Sequence, residues 1–338
     1  MPTTSHRMKA AIYRRPGLVE ITEVDRPDGA GVLVEVDHCG ICGTDLHMVL
    51  DGWGTPDAIL GHEWSGRVVH AGDSDFAIGA LVVGVPSAVC GTCDLCLNGR
   101  TSLCRNRPAP GSANERGAFA EFIELDKSRL VVVPDGVDGF AAAYTEPLAV
   151  ALHAVSLSAI RDDQTALVFG AGPIGAAIVA VLVARGIAVS AVEPQPPRAA
   201  LATALGATVR SLDELTVPTH PGEIARDAVD VVFESSGARA ASEVGLTQVA
   251  GGGLLMLVGT GLDYPKLDTN RLILNEIRVT GAFNYDADGF RDALALIADG
   301  ALPLDLLIED DVVDLDGLLD AMQRLRAGAL PGKVMVRP

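Results

Sequence analysis

The stretch Leu167-Val168-Phe169-Gly170-Ala171-Gly172-Pro173-Ile174-Gly175 decides how the rest of the chain is read. The apolar run at 166–169 reads as a buried strand, and 173–185 reads as a helix. Between them the glycines spell G-x-G-x-x-G. In a strand–turn–helix unit the first glycine permits the tight turn, the second lets backbone approach a pyrophosphate, and the third lets helix and strand pack closely. Pro173 costs little in the first helical turn, where the N–H it lacks would have no partner. The free N–H groups of that helix end attract phosphate. The motif is weak by itself in a chain with 37 glycines. Glu193 strengthens it, because it directly follows the next apolar strand, 187–192, where an acid can bind the ribose hydroxyls of a dinucleotide. The same carboxylate repels a 2′-phosphate, and Pro194-Gln195-Pro196-Pro197 supplies no immediate cation to receive one. NAD is therefore expected rather than NADP, with Arg198 available to line the adenosine side.

Outward from this unit the pattern continues as a parallel α/β region. A helix at 199–205 ends at Gly206, apolar strands follow at 229–234, 253–258 and 277–281, and helices are expected at 289–299 and 315–326. Upstream the texture differs. Short strands with alternating apolar positions are expected at 10–13, 18–23, 31–37, 65–71, 81–85, 118–125 and 130–133, separated by Pro/Gly turns. An Ala/Leu-rich helix is expected at 141–160. A last strand at 334–336 resembles the upstream region. The layout implies two domains, one formed by 1–147 with 286–338, the other by 148–285.

Composition bounds the function. At roughly 150 residues per domain, 338 residues suit about two domains, and 49% hydrophobic content gives each a core. The net charge of −18 and a pI near 4.7 argue against nucleic acid and anionic membranes as partners. The longest apolar stretch, 174–184, falls short of the ~18 residues of a membrane span. The N-terminus lacks the apolar core of a signal peptide, and its first seven residues read as a loose extension. Cytoplasmic location is expected, so the six cysteines should be reduced, with metal a better explanation of their spacing than disulfides.

Cys90, Cys93, Cys96 and Cys104 form C-x2-C-x2-C-x7-C. Four thiolates in one short loop, 90–108, suit a closed tetrahedral zinc site with no position for substrate. The bacterial iron–sulfur run has a three-residue last gap followed by proline. Here the gap is seven residues and Arg105 follows.

The residues able to do chemistry lie elsewhere. Gly40-Ile41-Cys42-Gly43-Thr44-Asp45-Leu46-His47 precedes Gly61-His62-Glu63-Trp64. A thiolate, an imidazole and a carboxylate make a ligand set for a zinc that keeps one position open. Each residue alone has a plainer explanation, since a lone cysteine or histidine is most often a packing or surface residue. Together with the glycine motif and the four-cysteine loop, this combination resembles the zinc-dependent alcohol dehydrogenases of the medium-chain dehydrogenase/reductase superfamily. The similarity runs from Met8 to Val336 in motif order and spacing, with the sorbitol/threonine dehydrogenase-like branch as the nearer match.

The resemblance implies a GroES-like β-rich catalytic domain plus a Rossmann domain with a doubly wound parallel sheet. One catalytic and one structural zinc per chain are implied, along with NAD. Cys42 and His62 would be zinc ligands, Glu63 a carboxylate that ligates zinc or exchanges with its water, and Glu146, in Glu146-Pro147-Leu148, the third ligand. Asp45 would orient His62, and Cys39 would be a packing residue despite its Cys39-x2-Cys42 spacing. Thr44 and His47 would carry the alcohol proton through the nicotinamide ribose to solvent, a task matched to imidazole. Gly170, Gly172, Pro173, Ile174, Gly175, Glu193, Arg198, Val258, Gly259, Thr260 and Phe283 would line the cofactor.

The implied activity is reversible oxidation of a secondary alcohol, polyol or sugar alcohol to the ketone, by a homodimer or homotetramer. Met48 stands where the branch carries an aromatic, and Phe283-Asn284-Tyr285 where it carries a central arginine, which argues against sorbitol itself. Trp53 and Trp64 are candidate cleft walls. His38, His70, His153 and His220 have no motif context and read as structural or exposed. Two alternatives are a zinc-free NADPH-dependent reductase and a non-catalytic metal or nucleotide sensor. The full ligand set counts against the first, and the Thr44/His47 pair against the second.

Overall fold

The computed structural model describes residues 6–107 and 116–338. In chain order the upstream strands are β1 (Arg7–Arg15), β2 (Leu18–Asp25), β3 (Val32–Gly40), β4 (Glu63–His70), β5 (Leu81–Gly84), β6 (Phe122–Leu125) and β7 (Leu130–Val132). Next come β8 (Thr165–Phe169), β9 (Ala188–Val192), β10 (Thr208–Arg210), β11 (Val229–Glu234), β12 (Val249–Leu257) and β13 (Arg278–Gly281). The chain closes with β14 (Val313–Asp314) and β15 (Met335–Arg337). Most of the loose extension expected at the N-terminus lies outside the described residues. Its last member, Arg7, already pairs with Asp25 in the β1–β2 hairpin.

The β-rich unit is a seven-stranded sheet ordered β14-β15-β3-β4-β5-β7, with β6 on β3. β3 pairs antiparallel with both β4 and β15. Its alternating residues feed a core that includes Val32, Val34, Val36, Trp64 and Phe119. The expected strand at 118–125 shortens to Phe122–Leu125, with Ala120 making only an isolated bridge to Ala10.

The second unit is a six-stranded sheet in the order β10-β9-β8-β11-β12-β13, all parallel. Chain order reverses between β8 and β11. In a doubly wound sheet this switch point, at the carboxyl ends of the strands, is where a crevice opens. The helix Pro173–Ala184 starts on Gly172 and is apolar on nearly every side, with Ile178, Val179 and Leu182 fully buried. Each such side chain contributes about 1.5–3 kcal/mol of burial. Gly170 takes φ +85°, and a side chain at Gly175 would run into the Gly170 carbonyl oxygen, so the turn needs glycine at both places.

The helix expected at 141–160 is two helices, Gly139–Ala142 and Thr145–Ser158. Pro147 cannot donate to the preceding turn, so it suits the start of a helix and breaks a continuous one. The second helix runs unbroken through the domain division expected at 147/148.

Candidate active site

Strand register brings the reactive residues together. Gly40 at the end of β3 faces Glu63 at the start of β4, which sets Cys42, two residues past one strand, beside His62, one before the other. On its other side Gly40 faces Met335 of β15, and the Ile41 N–H donates to Val334 O at 3.0 Å. Lys333 is thereby drawn in from the far end of the chain.

Cys42 also caps the helix Gly43–Leu50. Its sulfur accepts the Thr44 N–H at 3.4 Å, while Asp45 Oδ2 accepts the Cys42 N–H at 2.9 Å. The helix dipole favours negative charge there. Asp45, fully buried, also accepts the Gly61 N–H at 3.4 Å and lies 3.6 Å from His62 Nδ1. One carboxylate thus ties the helix start to the segment that carries His62. Burial opposes charge on His62, yet Asp45 and Cys42 beside it raise its pKa well above the ordinary value.

Ligand atoms of Cys42, His62 and Glu63 all lie within 4.8 Å of one another. Sulfur, ring nitrogen and carboxylate around one gap fit the donor preferences of zinc, whose bonds run about 2.0–2.3 Å. Glu146, in the first turn of Thr145–Ser158 and buried, is outside that group. Burial, partly offset by His62 and Lys333, lifts its pKa to about 7.

Lys333 is the residue that sequence reading missed. It is 1% exposed, and its ammonium donates to both Glu63 oxygens, at 2.8 and 2.6 Å, and to Ile41 O at 3.0 Å. Burial lowers its pKa, but Glu63, Cys42 and Glu146 together outweigh that and the net direction is upward. Both oxygens of the expected Glu63 ligand accept from this ammonium, so a metal bound through Glu63 would share the carboxylate with Lys333. The only signal in the sequence was a lone lysine in the apolar run Gly332-Lys333-Val334-Met335-Val336, in a chain with four lysines.

The switch-point crevice is a cleft of about 690 Å³ that reaches the reactive group. Gly170, Gly172, Pro173, Ile174, Glu193, Arg198 and Thr260 line it together with Cys42, His47 and Lys333. Gly175, Val258, Gly259 and Phe283 are not among its lining residues. Gly175 is packed beneath the turn, Gly259 donates to Glu234 O at 2.9 Å, and Phe283 is half exposed. Thr44, half-buried, adjoins the cleft in sequence through Gly43 without lining it. Ser235, Ser236 and Gly237, which were not expected, form its far wall after β11. Glu193 is fixed by two backbone donors, Ala171 N–H at 2.7 Å and Gln195 N–H at 2.9 Å. Arg198 donates to Leu325 O at 2.7 Å, and its Nε is buried without a partner among the described residues.

Of the candidate cleft walls, Trp53 stacks on His47 at 4.7 Å between centroids. Trp64 instead packs in the β-sheet core, close over Gly84. Cys39 and His38 are buried and His153 nearly so, while His70 and His220 are exposed.

The sulfurs of Cys90, Cys93, Cys96 and Cys104 lie within 4.8 Å of one another, with Cys90–Cys104 at 3.6 Å and Cys90–Cys96 at 3.9 Å. A tetrahedron with zinc–sulfur bonds of roughly 2.3 Å has edges of about 3.8 Å, so these thiols fit zinc, and all are free of disulfides. Backbone and side-chain donors of Thr92 and the Cys93 N–H pull the Cys90 thiol down to about 5. Pro108, the last residue of the expected loop, lies outside the described residues.

Comparison with known proteins agrees with this geometry. The alcohol dehydrogenase GroES-like domain matches residues 28–135, and the zinc-binding dehydrogenase domain matches residues 173–299. Sorbitol dehydrogenase of Bacillus subtilis is 30% identical, over 95% of this chain and 94% of its own. 2-Dehydro-3-deoxy-L-galactonate 5-dehydrogenase of Pseudoalteromonas atlantica is 34% identical, over 82% and 83%. The crystal structure of L-idonate 5-dehydrogenase from Escherichia coli superposes with a TM-score of 0.88 at 26% identity, covering 98% of each chain.

Proposed function

The chain belongs to the zinc-dependent alcohol dehydrogenases of the medium-chain dehydrogenase/reductase superfamily, and from that premise we propose that it is an NAD-dependent dehydrogenase of a polyol or sugar-derived secondary alcohol. It is an oxidoreductase that takes a secondary alcohol to the ketone, using zinc and a nicotinamide cofactor on a small-molecule substrate. The observation that carries the proposal is the single cleft in which Cys42 meets the Gly170–Ile174 turn.

In this reading Cys42, His62 and a carboxylate, Glu146 or Glu63, hold the catalytic zinc, and the four cysteines of the 90–104 loop hold the structural one. When bound, zinc would supply Lewis-acid stabilisation of the alcohol oxygen and the nicotinamide an acceptor for hydride. The chain's own residues do the rest. Asp45 orients His62 from behind. The Gly170 turn and the helix end at Pro173 cradle the pyrophosphate, and Ile174 and Thr260 line the cofactor. The Thr44 hydroxyl accepts the alcohol proton and passes its own to the ribose, and His47 delivers a proton to solvent. Glu193, fixed in place by two N–H donors, supports NAD over NADP by repelling a 2′-phosphate.

The division of the chain into 1–147 with 286–338 and 148–285, assembly as a homodimer or homotetramer, and cytoplasmic residence belong to the same proposal. Exposed Leu262, Tyr264, Ile273 and Leu274 support assembly. Among the described residues no helix is long and apolar enough to cross a membrane.

The test is NADH formation at 340 nm by the zinc-loaded enzyme across polyols, aldonates, vicinal diols and 3-hydroxy amino acids, with NADP in parallel. Turnover with NAD on one of these classes, abolished by Cys42→Ala, is the expected result. Binding of NAD without turnover on any class would overturn the assignment.

A further inference from the structure

His47 is gripped by groups that the steps above leave unused. Its Nδ1 lies 2.7 Å from Asp51 Oδ2, and the two side chains are 19% and 17% exposed. Arg326, from the last turn of the helix Leu318–Arg326, donates to both Asp51 oxygens, Nη1 to Oδ1 at 3.1 Å and Nη2 to Oδ2 at 2.8 Å. The Trp53 ring lies against the imidazole with 18° between planes. The backbone N–H groups of Asp51 and Trp53 both donate to the His47 carbonyl oxygen at 3.2 Å. That turn folds a carboxylate and an aromatic face back onto the same ring.

We propose that Asp51, clamped by Arg326, is a positioning residue for His47: it holds the Nδ1 proton and leaves Nε2 as the bare nitrogen that serves the shared cleft. A neutral imidazole has one donor and one acceptor nitrogen, and an ionised carboxylate only accepts. Keeping the 2.7 Å contact therefore places the ring proton on Nδ1 and fixes Nε2 as the acceptor. A proton arriving at Nε2 from a ribose hydroxyl makes an imidazolium. Asp51 and the C-terminal end of the helix Gly43–Leu50 stabilise that charge. The ring then loses one proton to water and returns to the Nδ1–H form, so no proton accumulates. Arg326 keeps Asp51 from becoming a proton trap, because its hydrogen bonds are the main reason the Asp51 carboxyl sits below its usual range. The division of labour is that of the aspartate in a Ser-His-Asp triad.

The inference rests on the reading of His47 as the relay end, and the experiment separates the two. Zinc-loaded, cofactor-free protein with 15N-labelled histidine is examined by 1H–15N NMR, with His47→Gln assigning the signals. Wild type should show neutral His47 protonated on Nδ1. Asp51→Ala and Arg326→Gln should move the population toward Nε2–H, whereas Asp51→Asn, whose oxygen still accepts, should keep Nδ1–H. On the alcohol chosen by the substrate panel, Asp51→Ala should lower kcat by about tenfold or more, leave the KM for NAD within about twofold, and recover part of the loss with added imidazole. An Nε2–H ring in wild type, or a tautomer unmoved by both Asp51→Ala and Arg326→Gln, overturns the proposal. So does a fall in Tm alone, without imidazole rescue, since a mere staple between helices would do that. If His47→Gln leaves turnover intact, the relay reading fails instead, and the tautomer result still decides what Asp51 does.

Discussion

The two thiol-bearing groups of this molecule are built on opposite plans. Cys90, Cys93, Cys96 and Cys104 come from one loop, whose own N–H groups turn toward the sulfurs. The Cys93 N–H donates to Cys90 Sγ and the Cys90 N–H to Cys104 Sγ, both at 3.3 Å. Cys42, His62, Glu63 and Lys333 come from three distant segments that meet only because β3 pairs with β4 on one side and β15 on the other. A group assembled within one loop needs few partners and carries little chemistry. A group assembled across a sheet inherits buried charge, and with it both the cost and the reactivity of partly desolvated ions.

Substitutions in the two groups should therefore fail differently. The largest effect is expected from Cys42→Ala. The catalytic metal is asked to supply several kcal/mol, so turnover should fall by roughly a thousandfold at about 1.4 kcal/mol per decade. Elemental analysis should find one zinc in place of two, with Tm little changed. Equal loss of both metals would mean that the groups are not independent.

Lys333→Ala strands Glu63 as a buried charge without its partner, and urea denaturation should show a loss of about 3–5 kcal/mol. Lys333→Met together with Glu63→Gln should recover much of that, because the neutral pair removes the uncompensated ion. A small loss in Lys333→Ala would show that water or metal reaches Glu63 freely.

Cys93→Ser should release the other zinc and lower Tm by several degrees, with kcat within about threefold of wild type, since loss of a structural metal removes folding free energy. A collapse of kcat matching that of Cys42→Ala would erase the contrast between the groups.

The smallest effect concerns the exposed Arg105–Asp94 pair beside the four-cysteine loop, joined by two hydrogen bonds at 2.7 and 2.8 Å. Arg105 holds the Asp94 carboxyl at about 2 instead of 3.8. A depressed carboxyl stabilises the fold above its unfolded value, and that contribution drains away as pH falls from about 3.8 toward 2. Acid melts of Asp94→Asn should differ from wild type only slightly, because an exposed pair contributes little.

Much of this architecture was legible in the residues. The strand at 229–234 was read to the residue, and the helix starting at Pro173 ended one residue earlier than expected. The reading erred where a single residue changes the backbone's options, as at Pro147, or where pairing depends on a distant strand, as at 118–121. In the site, Cys42, His62, Glu63 and Glu146 were foreseen, and the first three have ligand atoms within 4.8 Å of one another. The partners Lys333, Asp51 and Arg326 carry no motif. Asp51 could have been noticed as an acid four residues beyond His47 on a helix, but nothing local announces that Arg326 closes the pair.

By itself the sequence determined the parallel nucleotide-type sheet and the four-sulfur loop. Both are short-range properties: apolar periodicity, backbone freedom at glycine, and ligand spacing within one segment. Tertiary structure alone decided that Lys333 neutralises Glu63 and that His47 is held between Asp51 and Trp53. Those outcomes depend on strand register and on charges removed from water, and neither exists until the segments that carry them have packed together.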